Sequence, residues 1–160
     1  MKKSNVAFLG LFTAFAMILS FVESQIPMVV PGVKLGLPNI AIIVILYKFG
    51  VKEAIIVSLI RVLLTGLLFT DVQMILYGIA GATLSFIVML LLKDKLNIVT
   101  VSILGGICHN IGQTLVACLM TSTSQILYTL PLLLVSGVVA GMVIGLVSAG
   151  TYKKIEKIAF

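Results

Sequence analysis

Three basic side chains, Lys34, Arg61 and His109, stand where an apolar chain gives no ready reason for them. Arg61 lies nine residues beyond Lys52, about 13 Å along a helix, and is flanked by apolar residues on both sides. His109 opens the group His109-Asn110-Ile111-Gly112-Gln113, inside another apolar run. His109 and Gln113 are four apart and share a helix face, and Asn110 adjoins it. A charge at the centre of a bilayer costs roughly 2.5–3.5 kcal/mol on the insertion scale, so it persists only beside a partner, a cavity or a ligand. The acids fall at the ends of the apolar runs: Glu23 and Asp71 at one set of connections, Glu53, Asp94 and Glu156 at the other. No acid is therefore expected beside Arg61. An anionic ligand is the better account of that charge, and a structural ion pair is the alternative. For His109, Asn110 and Gln113 the choice is between a ligand cradle and a polar clamp between helices.

The segment before Arg61 points the same way. Pro27, Pro31, Gly32, Gly36 and Pro38 mark an irregular stretch, residues 25–32, followed by a helix of only about 14 residues starting near Leu35. At ~21 Å such a helix cannot cross a core of roughly 30 Å, so the loop before it must dip inward. The positive N-terminal end of this helix, with its free N–H groups, would then lie inside the protein beside Lys34, an arrangement suited to anions. Pro38 fits its first turn, and Asn39 adds a polar contact. Metal binding is not expected, because one histidine and two cysteines, Cys108 and Cys118, make no ligand spacing. Catalysis is not expected either. Phosphoryl or prenyl chemistry would need clustered carboxylates for magnesium, and Asp71 and Asp94 lie on opposite faces. No cofactor is implied.

These residues need a scaffold, and composition fixes its class. Of 160 residues, 61% are hydrophobic and 10% charged, against roughly 45–50% and about 25% in soluble domains. That excludes a soluble globular protein and a disordered chain alike. Six apolar segments are readable, at about 6–22, 35–47, 53–69, 73–92, 98–120 and 130–151. Without period-2 alternation they predict helices rather than a barrel. The expected fold is all-α, a single transmembrane domain over residues 1–160 with six spans. Residues 6–22 are read as a retained first span, since the small triplet Ala14-Phe15-Ala16 lies inside the run rather than after it.

Charge sets the orientation. All of the eleven basic residues except Lys34 and Arg61 fall in one set of connections: Lys2, Lys3, Lys48, Lys52, Lys93, Lys95, Lys153, Lys154 and Lys157. The positive-inside rule places these, and both termini, in the cytoplasm. The net charge of +6 is thus a topology signal, and no nucleic-acid partner is expected. Small residues recur at helical spacing, as Ala7, Gly10 and Ala14 in the first helix, Gly78 with Ala82 and Gly81 with Ser85 in the fourth, and Gly137, Gly141, Gly145 and Ala149 in the sixth. Such stripes let backbones approach closely in lipid. In the sixth helix the reading is internal packing; in the first, a partner subunit could dock instead.

The combination Gly32-Val33-Lys34-Leu35-Gly36-Leu37-Pro38-Asn39, Arg61-Val62-Leu63-Leu64 and His109-Asn110-Ile111-Gly112-Gln113 resembles a family of small bacterial membrane proteins. These are the Gx transporter family, also labelled heptaprenyl diphosphate synthase component I. That family in turn resembles the S components of energy-coupling factor (ECF) transporters, six-helix proteins that capture a vitamin-like substrate from outside. The resemblance implies a plasma-membrane protein that is not itself an enzyme. It would pass its substrate to a membrane coupling protein and two cytoplasmic ATPases. It implies further that Gly10 and Ala14 match the docking stripe of S components, and that residues 23–33, 70–72 and 121–129 cover the site. The expected substrate is a small anionic amphipathic solute such as an isoprenoid diphosphate or quinone precursor, bound by Lys34, Asn39, Arg61, His109, Asn110 and Gln113. The alternative reading is a non-catalytic membrane subunit for a prenyl diphosphate synthase. A third is a self-contained permease.

Overall fold

The computed structural model describes residues 3–25, 36–69 and 72–157. Six α-helices follow one another: α1 (Lys3–Gln25), α2 (Asn39–Lys48), α3 (Val51–Phe69), α4 (Val72–Leu92), α5 (Ile98–Thr121) and α6 (Leu130–Ile155), with a short 3-10 helix, Ser124–Thr129, before α6. The described residues contain no strand, so the all-helical reading of the sequence is the observed fold. Helices α1, α4, α5 and α6 include stretches long and apolar enough to cross a membrane. Their outward faces carry a belt of exposed Leu, Ile, Val and Phe, among them Leu11, Leu91 and Leu146. Patches of that extent are not found on soluble monomers, and lipid is the solvent they fit.

Local chemistry sets the boundaries. The Asn97 side chain accepts from the Thr100 N–H at 2.8 Å and so caps α5. Ser122 closes the other end of α5 in the left-handed conformation, φ 50°. Pro131 stands in the first turn of α6, where its missing N–H costs nothing. Gly50, φ +117°, makes the turn from α2 to α3, a conformation that any Cβ would strain.

Helix α2 is the centre. Every residue from Ile40 to Leu46 is buried, as expected of a helix apolar on all sides, and α1, α3 and α6 pack around it. It is ten residues long, about 15 Å, and begins four residues later than the sequence suggested. Gly36, φ +74°, and Pro38 spend the first part of that segment on a turn. The turn also changes the expected helix end. The N–H groups of Asn39, Ile40 and Ala41 donate to the carbonyls of Gly36, Leu37 and Pro38 at 2.9, 3.1 and 3.2 Å. The first turn of α2 therefore offers no free donors from these three residues.

The lysine-bearing ends meet. Tyr47 donates to the Lys93 carbonyl at 3.3 Å and packs edge-on against Tyr152, centroids 5.9 Å apart. Lys48 donates to the Glu156 carbonyl at 2.8 Å. The ends of α2, α4 and α6 thus share one face of the bundle. At the other face Phe21 of α1 packs on Phe69 of α3, 5.3 Å between centroids.

The α4–α5–α6 half is held by glycine. A Cβ on Gly141 would lie 2.7 Å from Ile103 Cα, and one on Gly106 would lie 2.6 Å from the Gly137 carbonyl oxygen. Gly145 meets Val99 Cα in the same way at 2.8 Å. The small series of the sixth helix, Gly137, Gly141 and Gly145, is therefore internal packing against α5. The first-helix series is not. Ala7, Gly10 and Ala14 are exposed, and nothing lies within 4 Å of where a Gly10 Cβ would be.

Candidate functional site

Two groups of polar side chains lie inside the bundle, joined by Asn39. The first is built where α1 ends, α2 begins and α3 passes mid-span. Arg61 of α3 is 9% exposed and Glu23 of α1 is 7% exposed. Arg61 Nη2 donates to Asn39 Oδ1 over a long 3.4 Å, and Arg61 Nε is buried with no hydrogen-bond partner. The Glu23 carboxylate accepts the N–H of Gly36, and its charge acts attractively on Arg61. Gly36 is tightly bounded here, since a Cβ would meet Asn39 Nδ2 at 3.2 Å. The loop thus returns to α2 pinned to α1 by one carboxylate.

Glu23 corrects the sequence reading, which put it at the membrane surface and left Arg61 without an acid. The apolar run ends at Val22, and a span read from hydropathy ends with it. Helix α1 instead continues to Gln25, and its last turn carries Glu23 into the bundle beside the deep-set start of α2. Spacing alone could not reveal this, because the height of the α2 start depends on the turn at Gly36–Pro38.

The second group lines a cavity among α2, α4, α5 and α6. Its polar lining is Asn39, Ser85, Ser102, His109 and Asn110, and its volume is about 20 Å³, room for roughly one water molecule. Asn110, 4% exposed, donates to the Leu133 carbonyl of α6 at 2.6 Å and approaches Ser136 Oγ at 3.4 Å. Its amide thus fastens α5 to α6, which is the clamp alternative for this residue. Gln113 and His109 pack over Gly81 of α4, their atoms 2.8 and 2.9 Å from where its Cβ would be. Ser85 and Ser102, both buried, join the lining beyond the expected site residues. Ser102 lies seven residues before His109, on the same helix face, and Ser85 lies one turn beyond Gly81; helical periodicity carries both signals.

Of the six expected binding residues, Asn39, His109 and Asn110 line one cavity, and Arg61 reaches it through Asn39. Gln113 sits at the α4–α5 contact. Lys34 lies outside the described residues, as do most of the predicted cover 23–33 and residues 70 and 71 of the stretch 70–72. The stretch 121–129 forms the turn and 3-10 helix that join α5 to α6, with no buried residue in that helix. Both cysteines are free thiols. Among the described residues no three His, Cys, Asp or Glu side chains gather as metal ligands would.

Chemically, the arrangement is a guanidinium with unspent donors, held by one amide and balanced by one buried carboxylate. A guanidinium has five N–H donors in a fixed fork suited to carboxylate or phosphate. Burying it with Nε unanswered costs free energy that an acceptor in that position would recover.

Comparison with curated proteins and with solved structures returned no match. A family model described as heptaprenyl diphosphate synthase component I matches residues 12–151, from within α1 to the last turns of α6. With its apolar helical bundle, this chain is a membrane protein that belongs to the heptaprenyl diphosphate synthase component I family.

Proposed function

We propose that this protein is the substrate-binding membrane component of an ECF-type transporter, capturing a small anionic amphipathic solute from outside for ATP-driven uptake. The observation that carries the reading is Arg61, buried at mid-span with its Nε donor unanswered. A structural ion pair alone would be expected to spend that donor. Glu23 offsets the charge in part, so the solute's acidic group would complete the fork and draw further positive charge from Lys34. Asn39, His109, Asn110 and Gln113 supply the polar surroundings. The cavity beside Asn39 is too small for any solute, so loading requires α2 to shift against α5 and α6.

The exposed face of α1 supports the partner half of the proposal. Ala7, Gly10 and Ala14 are exposed, with nothing within 4 Å of where a Gly10 Cβ would be, and small residues on an exposed span let another helix approach closely. The coupling protein would dock there, with two ATPases below it on the lysine-rich, cytoplasmic face of a bacterial plasma membrane. In this reading the chain does no chemistry of its own. The family description favours one other reading, a non-catalytic membrane subunit that holds a prenyl diphosphate synthase at its lipid substrate.

Purification in mild detergent from the native membrane, followed by native mass spectrometry, separates the two. Recovery of a membrane coupling protein and ATPases, with a retained anionic molecule, is the expected result. Recovery of a soluble prenyl synthase without ATPases would overturn it in favour of the second reading.

A further inference from the structure

Helices α3 and α4 touch closely near the ends that face away from the lysines, where Ile75 fills the space beside Gly66. Toward the lysine-rich face they part. The gap is a groove of about 300 Å³, at the lower end of the range of ligand pockets. Its walls are Ile55, Leu59 and Val62 of α3 and Ala82, Phe86 and Leu90 of α4, with the hydroxyls of Ser58 and Thr83 between them. Ile55, Leu59 and Leu90 are exposed, so the groove opens sideways onto the surface that faces lipid. It runs about 10 Å along α3 and about 16 Å along α4.

The lysine end of this groove is charged. Lys52 stands one turn before Ile55, and Lys93 one turn after Leu90, each at the i,i+3 spacing that places it on the groove's own face. Two acids lie close by. The Glu53 carboxylate is turned back over Gly50, 3.3 Å from where its Cβ would be. Asp94 is 3.8 Å from Lys93 Nζ, the Asp94 side chain 83% exposed and the Lys93 side chain 24%, and a pair at that distance with one partner in solvent is weak. Lys52 and Lys95 are exposed beside them.

We propose that the α3–α4 groove holds one hydrocarbon chain of an anionic phospholipid, with its phosphate at Lys52 and Lys93. The apolar walls match a chain entering from the bilayer core. The lysines lie at the depth of the headgroups, where basic residues attract anionic lipid. The groove shares no lining residue with the Arg61 cluster or with the cavity beside Asn39, so the proposal stands independently of solute capture.

The test uses the full chain in bilayer nanodiscs containing palmitoyl-oleoyl phosphatidylglycerol and the matching phosphatidylcholine, released into native mass spectrometry. The expected result is one retained phosphatidylglycerol, favoured over phosphatidylcholine by about tenfold or more. Ala82→Phe, which fills the groove, should remove the retained lipid. Lys52→Gln with Lys93→Gln should keep a lipid but lose the preference for phosphatidylglycerol. Lys52 is exposed and Lys93, its side chain 24% exposed, pairs only weakly with Asp94, so the lysine variant keeps the fold and decides the matter if Ala82→Phe is unstable. An unchanged preference in the lysine variant overturns the proposal.

Discussion

The α5–α6 and α3–α4 seams join helices of similar apolar character, yet one is closed to backbone contact and the other is open. Along α5–α6, Gly106 meets Gly137, Gly141 meets Ile103, and Gly145 meets Val99 at backbone distances. Along α3–α4, bulky side chains such as Ile55, Leu59 and Phe86 face the groove, and the close approaches, Gly66 against Ile75 and Gly78 against Val62, are to side chains rather than to backbone. In water both seams would close to hide apolar surface. In lipid that drive is absent, because the tails are as apolar as leucine. What decides proximity is how near the backbones can come, and the positions of glycine set that.

The largest effect should come from breaking the closed seam. Gly141→Leu drives four carbons into the Ile103 and Ser102 backbone, which lies 2.7–2.8 Å from the new Cβ. Inserting one or two methylenes into a core costs ~1–3 kcal/mol; here the helices must separate, and loss of the folded bundle is expected. Ala82→Leu in the open seam should cost less than ~1 kcal/mol. Thermal melting in detergent checks both, and equal losses would break the comparison.

The buried charges come next. Arg61→Gln removes a buried guanidinium that contacts Asn39, and should cost ~1–3 kcal/mol of stability, as for a buried hydrogen-bonding group removed from its partner. Glu23→Gln together with Arg61→Gln should cost less than the sum of the two single changes, because the two buried charges attract. Chemical denaturation of the single and double variants measures the difference. An Arg61→Gln protein of full stability that no longer retains its solute would mean that Arg61 serves the ligand alone.

The smallest effect on stability belongs to α1. A Cβ at Gly10 meets nothing within 4 Å, so Gly10→Leu should leave stability unchanged to within ~0.5 kcal/mol. Yield of any partner complex should fall, since leucine holds two helices apart where small residues let them touch. A lowered melting point with an intact complex would place this face inside the protein.

Much was legible in the residues themselves. Run lengths and lysine positions gave the six helices and the sharing of one face by Lys48, Lys93 and Lys153, because a span must be apolar and its ends must not be. The four-residue glycine series of α6 gave a packing face, because 3.6 residues per turn stacks those positions. Unusual polar residues in apolar runs drew attention to Arg61, His109 and Asn110. Their partners were not legible. Asn110 reaches Leu133, which is 23 residues away in sequence, and only the α5–α6 contact makes that carbonyl available.

Sequence by itself therefore determined the class of solvent, the helices, the grouping of their charged ends and the residues that need a polar reason to exist. Tertiary structure decided how that need is met. It set α2 deep behind the Gly36–Pro38 turn, turned Glu23 inward onto the Gly36 N–H, spent the first N–H groups of α2 on its own turn and left α3 and α4 parted. The physical reason is range: hydropathy and periodicity act within one helix, whereas burial and charge pairing depend on the relative height and rotation of several.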